Sequence, residues 1–327
     1  MKPNALRQLL AVCDRLKFEP HAIADFLDSR GHYEVELTPE FPLSIKLFRY
    51  SSRHHTPSQT WHERLEVFVP LDGPVKFRMG DQMVPLEGGD LLVVDNLKLH
   101  QVVDFPGFNT RAVVVSFMPE FVYSLGSPSG DYTFLLPFYS KLDRRPHLLR
   151  GNNENAADAH QALSRLLQAY FSSDERQFVQ AGSKAYLLEL LFHLARHFRS
   201  SDVLRWEFLR QQQRSLRLKR LFDHIQAHFA DKLSVSQAAR LVAMSPAAFM
   251  KIFKQVAGMT LVSYLNHVRL ARAAQLLRET DRSIAEIAAE TGFSDQSYFD
   301  RRFKSSFGVA PKVFRTRPSA EIPSAKN

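Results

Sequence analysis

The 327-residue chain predicts a two-domain α+β protein, with an N-terminal β-barrel and its flanking helices followed by an all-α C-terminal domain. Three observations carry this expectation. Between about residues 33 and 120, short runs rich in β-branched and aromatic side chains alternate with glycine-containing turns. From about residue 155 the apolar spacing becomes that of amphipathic helices. And a segment beginning at Ser234 recurs, with one added residue, from Ser283. The predicted divisions are 1–199 for the barrel (about 33–120) with its later helices (about 155–199), 200–216 for a linker, 217–317 for the helical domain and 318–327 for a tail.

In chain order, residues 4–30 read as one or two short helices. Leu6, Leu9, Leu10, Cys13 and Leu16 recur at helical spacing, and Ile23, Phe26 and Leu27 continue it beyond Pro20. Strands are expected at 33–37, 44–50, 65–69, 75–78, 91–94, 101–103 and 111–117, with Asp72-Gly73, Gly80-Asp81 and Gly88-Gly89-Asp90 at the turns. So many short strands close into a sandwich or small barrel. Residues 126–146 read as loop. Two helices follow at 155–171 and 178–198, which pair with each other or with a second subunit. The polar stretch around Arg210-Gln211-Gln212-Gln213-Arg214 has no apolar stripe and suits a solvated linker.

The repeated segment is the most informative part of the chain. At an offset of 49, Ser234-Val235 falls on Ser283-Ile284, Ala239 on Ala288 and Met244-Ser245 on Phe293-Ser294. At an offset of 50, Phe249 falls on Phe299, Phe253-Lys254 on Phe303-Lys304, Gly258 on Gly308 and Tyr264 on Phe314. Each copy opens with a capping box, Ser234 with Gln237 and Ser283 with Glu286. Small pairs, Ala238-Ala239 and Ala288-Ala289, let a second helix cross closely. Gly292 suits the positive φ that ends a helix, and Ser294 is placed to cap the next. In that helix Phe299, Phe303 and Phe307 share one face, leaving Ser297, Arg301 and Lys304 on the other. The units are expected at 234–242 with 245–256 and at 283–291 with 294–307, joined by a long helix at 260–279. This is a tandem helix-turn-helix.

Charge points the same way. Residues 217–317 hold 17 basic and 8 acidic side chains, so the whole formal excess of +9 lies there and the rest of the chain balances. A basic domain on a neutral one suggests a polyanionic partner. No run of about 18 apolar residues is present, so no membrane span or membrane partner is expected. Cys13 is the single cysteine, which excludes an intrachain disulfide and fits the reducing cytoplasm.

Residues 217–317 resemble the DNA-binding domain of the AraC/XylS family of bacterial transcription regulators. The resemblance rests on Gly292-Phe293, Ser297-Tyr298-Phe299, Arg301, Phe303-Lys304, Phe307-Gly308, Pro311 and Phe314-Arg315, and on Leu261, Tyr264-Leu265, Arg269-Leu270, Ala273 and Leu276-Leu277 in the connecting helix. It implies a sequence-specific binder of double-stranded DNA, most often an activator that works with RNA polymerase. The implied groove-facing positions are Ala247, Met250 and Lys251 in the first unit and Gln296, Ser297 and Arg301 in the second. Arg301 suits a bidentate contact to guanine and Gln296 a contact to adenine, whereas Ala247 and Met250 offer apolar contact only. Lys254, Lys304 and the helix N-termini at Ser245 and Ser294 are candidate phosphate contacts.

The β-rich part resembles a cupin. Thr60-Trp61-His62, Glu66 and Gly73 stand where that family's first motif runs, and Gly89-Asp90 with His100 where its second does. Two uses of His62, Glu66 and His100 are open: a three-ligand transition-metal site, or polar groups lining a cavity for a small organic molecule. Thr60 stands where the motif's first histidine belongs, which counts against the metal. Trp61 suits either stacking on a sugar ring or a structural place in the barrel wall. The expected protein is therefore a cytoplasmic, cofactor-free, non-enzymatic regulator, dimeric by family resemblance, whose effector is a small molecule such as a carbohydrate. The competing expectation is a metal-dependent cupin enzyme with an appended nucleic-acid-binding domain.

Overall fold

The computed structural model describes residues 3–20, 37–38, 40–50, 62, 64–80, 82–95, 100–104, 110–123, 128, 130–139, 147–198, 218, 220–225, 227–257 and 259–316. Residues 33–36 of the strand expected at 33–37, the helical continuation through Ile23, Phe26 and Leu27, the linker at 200–216, the tail, Thr60 and Trp61 lie outside the described residues, and Leu37 is not in a strand.

The chain opens with helix α1 (Pro3–Cys13) and a two-residue strand β1 (Glu19–Pro20). Strands β2 (Leu43–Tyr50), β3 (Leu65–Pro70), β4 (Val75–Met79), β5 (Gln82–Leu86), β6 (Leu91–Val94), β7 (His100–Asp104) and β8 (Thr110–Phe117) follow, and β9 (Leu148–Leu149) comes later. They form two sheets, one ordered β1-β2-β8-β3-β6-β9 and one ordered β5-β4-β7. The alternation of the strands sorts the side chains. Phe48, Tyr50, Phe68, Leu92, Val94 and Val114 of the large sheet meet Val75, Phe77, Val84, Leu86 and Val102 of the small one. The odd-numbered set, Ile45, Leu47, Val67, Val69, Val113 and Val115, faces the helices on the other side. This is the expected cupin-like barrel.

Three departures have physical reasons. β5 was hidden by Pro85, which removes a ladder donor. The strand lies at the edge of its sheet, where a missing donor costs nothing, and Pro85 stands opposite Lys76. β1 and β9, two residues each, exist only through pairing with β2 and β6 and leave no periodic signal. And the expected loop at 126–146 contains a 3-10 helix (Asp131–Leu135) running into helix α2 (Leu136–Tyr139), with Leu135, Phe138 and Tyr139 buried. Helices α3 (Ala156–Tyr170) and α4 (Arg176–His197) pack on each other and cover the outer face of the large sheet through Leu163, Leu166, Leu187, Leu190 and Leu194.

The C-terminal part is helical throughout. After a helical stretch at 220–225 come α5 (Val235–Leu241), α6 (Pro246–Ala257), α7 (Leu261–Glu279), α8 (Ile284–Glu290), α9 (Gln296–Phe307) and α10 (Pro311–Thr316). It has two cores. Leu221, Phe222, Ala238, Ala239, Phe249, Phe253, Tyr264 and Val268 build the first. Leu270, Ala273, Leu277, Ile287, Ala288, Phe299, Phe303, Phe307 and Phe314 build the second. Helix α7 therefore gives its N-terminal half to one core and its C-terminal half to the other. The repeat extends to ring geometry. Phe253 meets Tyr264 edge-on at 5.7 Å and 83°, and Phe303 meets Phe314 at 5.2 Å and 83°. Among the described residues no helix is long and apolar enough to cross a membrane.

Candidate nucleic-acid interface and a buried polar cluster

The caps that set the two units are built as the residue types dictate. Ser234 and Ser283 each accept from the backbone N–H three residues on, and Gln237 and Glu286 reach back to the cap N–H at 2.8 Å. Ser245 accepts from Ala248 N–H at the start of α6. In the second unit the corresponding cap is not Ser294 but Asp295, whose carboxylate accepts from Tyr298 N–H. The extra residue of the second copy is spent in the turn, moving the cap one position on. A carboxylate therefore stands at this helix start in place of the expected serine cap. The small-residue pair of α8 is corrected too. Ile287 and Ala288 are buried, whereas Ala289 is exposed, because the 49-residue offset brings Ala238 onto Ile287.

With the phenylalanines inward, the opposite faces of α6 and α9 are free. Ala247, Met250, Lys251 and Lys254 on α6 are all exposed, Met250 by 54%. Gln296, Ser297, Arg301 and Lys304 on α9 are exposed as well. An exposed methionine on a helix whose other face is dry is an apolar group available to a partner. The eight side chains thus form two short outward faces on two similarly built helices.

In the β-domain, His62, Glu66 and His100 do come together. His62 Nε2 lies 3.1 Å from Glu66 Oε1 and 3.2 Å from His100 Nε2, and His100 Nε2 lies 3.7 Å from Glu66 Oε2. All three are buried, His62 to 1% exposure. Trp61 lies outside the described residues. Two further partners carry no motif signal in the sequence. Arg64 donates from Nε to Glu66 Oε1 at 2.9 Å, and Ser116 donates to the same oxygen at 2.8 Å. Ser116 faces Glu66 across the β3–β8 pairing and Ser44 across β2–β8, so a polar patch sits on an otherwise apolar inner face. The signal available in the sequence was a serine interrupting the run Val113-Val114-Val115 before Phe117.

The protonation state follows from the partners. Arg64 O can only accept, so the bond of 3.0 Å to His62 Nδ1 fixes the proton there and leaves Nε2 as a lone pair. Burial and the nearby Arg64 charge push the His62 pKa down to about 3, so the ring is neutral near pH 7. Burial alone would raise the Glu66 carboxyl, but the Arg64 guanidinium 2.9 Å away helps to hold it well below the usual carboxylate range. His100 stacks on Phe77 at 5.8 Å and 5°.

The donor atoms lie within 4.8 Å of one another, the span of a metal site. The charges fit a metal poorly. The Arg64 guanidinium already neutralises the carboxylate, and a dication would share a dry site with that cation.

Fold and surface together define the class: a tandem helix-turn-helix protein carrying a β-barrel domain. A family described as a helix-turn-helix domain matches residues 238–317. Over most of its length the chain is similar to the HTH-type transcriptional activator RhaS of Enterobacter sp., at 26% identity over 298 residues, covering 91% of this chain and 97% of that one. It is similar also to the HTH-type transcriptional activator RhaR of Mannheimia succiniciproducens, at 24% over 289 residues, covering 88% and 96%. Among solved structures it is similar to ToxT of Vibrio cholerae with bound unsaturated fatty acid, at 13% identity and a TM-score of 0.49, covering 86% and 97%. Residues 238–317 are an AraC-type helix-turn-helix domain, and the chain is similar over most of its length to transcription regulators that carry one.

Proposed function

We propose that residues 217–317 read two neighbouring major-groove segments of double-stranded DNA, with α6 and α9 as the reading helices. The observation that carries this is the pair of outward faces on α6 and α9, hung from the one helix α7 in the basic part of the chain. Gln296, Ser297 and Arg301 supply hydrogen bonds to base edges, Ala247 and Met250 apolar contact with thymine methyls, and Lys251, Lys254 and Lys304 cationic contact. The test is selection from random duplex DNA with the full chain, followed by footprinting. Two protected segments about one helical turn apart, with affinity that falls steeply as salt rises, are expected. A salt-insensitive or absent complex overturns the proposal.

The remaining residues, 1–199, form a sensor joined by the linker 200–216. Its effector is a small polar molecule held by the Arg64–Glu66–Ser116 cluster with His62 and His100, and a carbohydrate is the favoured class. Binding must differ in affinity between two arrangements of the chain in order to change DNA binding. The names of the two relatives as activators support activation. RNA polymerase as partner, a homodimer as working form and the cytoplasm as location complete the reading. A thermal-shift series with sugars, and with sugar acids, tests the effector, because a true ligand raises the melting temperature with concentration and should fail to do so in Arg64→Ala. The second reading, a metal-dependent enzyme, is favoured by the convergence of three donor atoms alone. Stoichiometric metal in the purified chain, lost in His62→Ala, would replace the effector proposal with it.

A further inference from the structure

We propose that Arg269 is a positioning residue that locks the two helix-turn-helix units at one fixed separation before DNA arrives. Arg269 sits in the middle of α7, between the residues given to the first core and those given to the second. Its guanidinium turns back to the loop ahead of α5, donating from Nε to Phe229 O at 2.7 Å and from Nη2 to Asp231 O at 2.9 Å. The same group lies 5.9 Å from the ring centroid of Phe293, in the turn of the second unit. One side chain thus ties the entry of unit one to the turn of unit two.

Two further contacts close the same seam. Gly292 has φ +83, and a Cβ there would stand 2.5 Å from Ala230 O and 2.8 Å from its Cα. The turn of the second unit therefore rests directly on the backbone of the first. Asn266, one turn before Arg269 and buried, donates to Tyr298 Oη on α9 at 3.1 Å. A single shared helix could bend between two independent cores. A seam of backbone contact, two carbonyl bonds and a ring contact on one side of that helix resists the bend.

The consequence for reading is specific. With the units locked, both reading helices engage only where their DNA segments lie at the one matching spacing. With the seam cut, each unit still folds on its own core but the spacing requirement relaxes. Arg269 acts through α6 and α9 and touches no base.

The test has two arms on the full chain. In the first, spin labels on Lys251→Cys and Lys304→Cys in a Cys13→Ser background report the separation of α6 and α9 without DNA. A single narrow distance distribution is expected, changing to a broad or bimodal one in Arg269→Ala and less so in Arg269→Lys, with helical circular dichroism unchanged. A broad distribution in the parent, or an unchanged narrow one in Arg269→Ala, overturns the proposal. If Arg269→Ala loses helicity, Asn266→Ala replaces it under the same criteria. In the second arm, one or two base pairs are inserted between the two footprinted segments of a selected duplex. The parent is expected to lose about tenfold or more in affinity, as when one base pair or more of a site is misread. Arg269→Ala should start weaker and lose clearly less. Equal losses in both overturn it. This arm rests on the DNA-reading proposal. If no duplex is selected, that proposal fails while the distance arm still decides the seam.

Discussion

The two helix-turn-helix units share a scaffold and differ in what they show to a partner. Both carry a serine cap with a reciprocal third residue, phenylalanines four apart on the second helix and an edge-on ring from the following helix. Their outward faces diverge: Ala247, Met250 and Lys251 against Gln296, Ser297 and Arg301. Their turns diverge too. The left-handed position is Ala243 in the first unit, φ 52, and Gly292 in the second, φ 83. The backbone path is a common requirement of the fold, whereas the residue taking it answers to local neighbours. At Gly292 the backbone of Ala230 presses on the Cα, where an added Cβ would stand 2.5 Å from Ala230 O.

The largest test of the shared scaffold is the inner phenylalanine. Phe253→Ala and Phe303→Ala should each destabilise their own unit by about 3–5 kcal/mol. Denaturant melts followed by unit-specific probes would check this. A cost in one unit far below the other would mean that the cores are not equivalent.

The turns come next. Gly292→Ala should cost about 2–4 kcal/mol, adding left-handed strain to overpacking against Ala230. Ala243→Gly should do the opposite and stabilise the first unit by up to about 1 kcal/mol, since strain is relieved at some cost in chain entropy. The same sign for both substitutions in a thermal melt would break the argument from local neighbours.

The outward faces predict a smaller, chemically distinct pair of effects. Arg301→Ala should weaken binding to a selected duplex by about 1–3 kcal/mol and relax preference at one base position. Met250→Ala should cost about 1 kcal/mol or less, because a methyl contact supplies little discrimination. A uniform loss on all sequences for Arg301→Ala would make it a phosphate contact instead.

How much of this was legible before the structure depended on the range of the interactions. Caps, helix faces and the repeat are local, and Ser234, Ser283, Phe299 and Phe303 stand where their spacing placed them. The strands with uninterrupted β-formers were legible as well, but β5 was masked by Pro85 and β1 and β9 have no existence apart from their partners. His62, Glu66 and His100 came from motif spacing. Arg64 stands outside that motif, and Ser116 enters the cluster only through the cross-strand register. Arg269 stands in a legible motif, yet its role depends on carbonyls some forty residues earlier in the chain, which no periodicity reports.

The smallest effect separates the units by charge rather than by packing. The reciprocal cap residue is Gln237 in the first unit, which does not titrate, and Glu286 in the second. Hydrogen bonds from the Ser283 side chain and backbone hold the Glu286 carboxyl below its usual 4.5. A folded-state value below the unfolded one means that the contribution is present above about pH 4.5 and is lost as pH falls through the lowered value. Helix α8 should therefore fray in acid where α5 does not. Amide protection factors, already corrected for intrinsic exchange, should fall for the first turn of α8 relative to the first turn of α5 as the pH is taken below about 4.5. Glu286→Gln should abolish the difference by giving both units the neutral box. If the two helices lose protection in parallel in the parent chain, the acid response belongs to the domain as a whole and the caps are interchangeable.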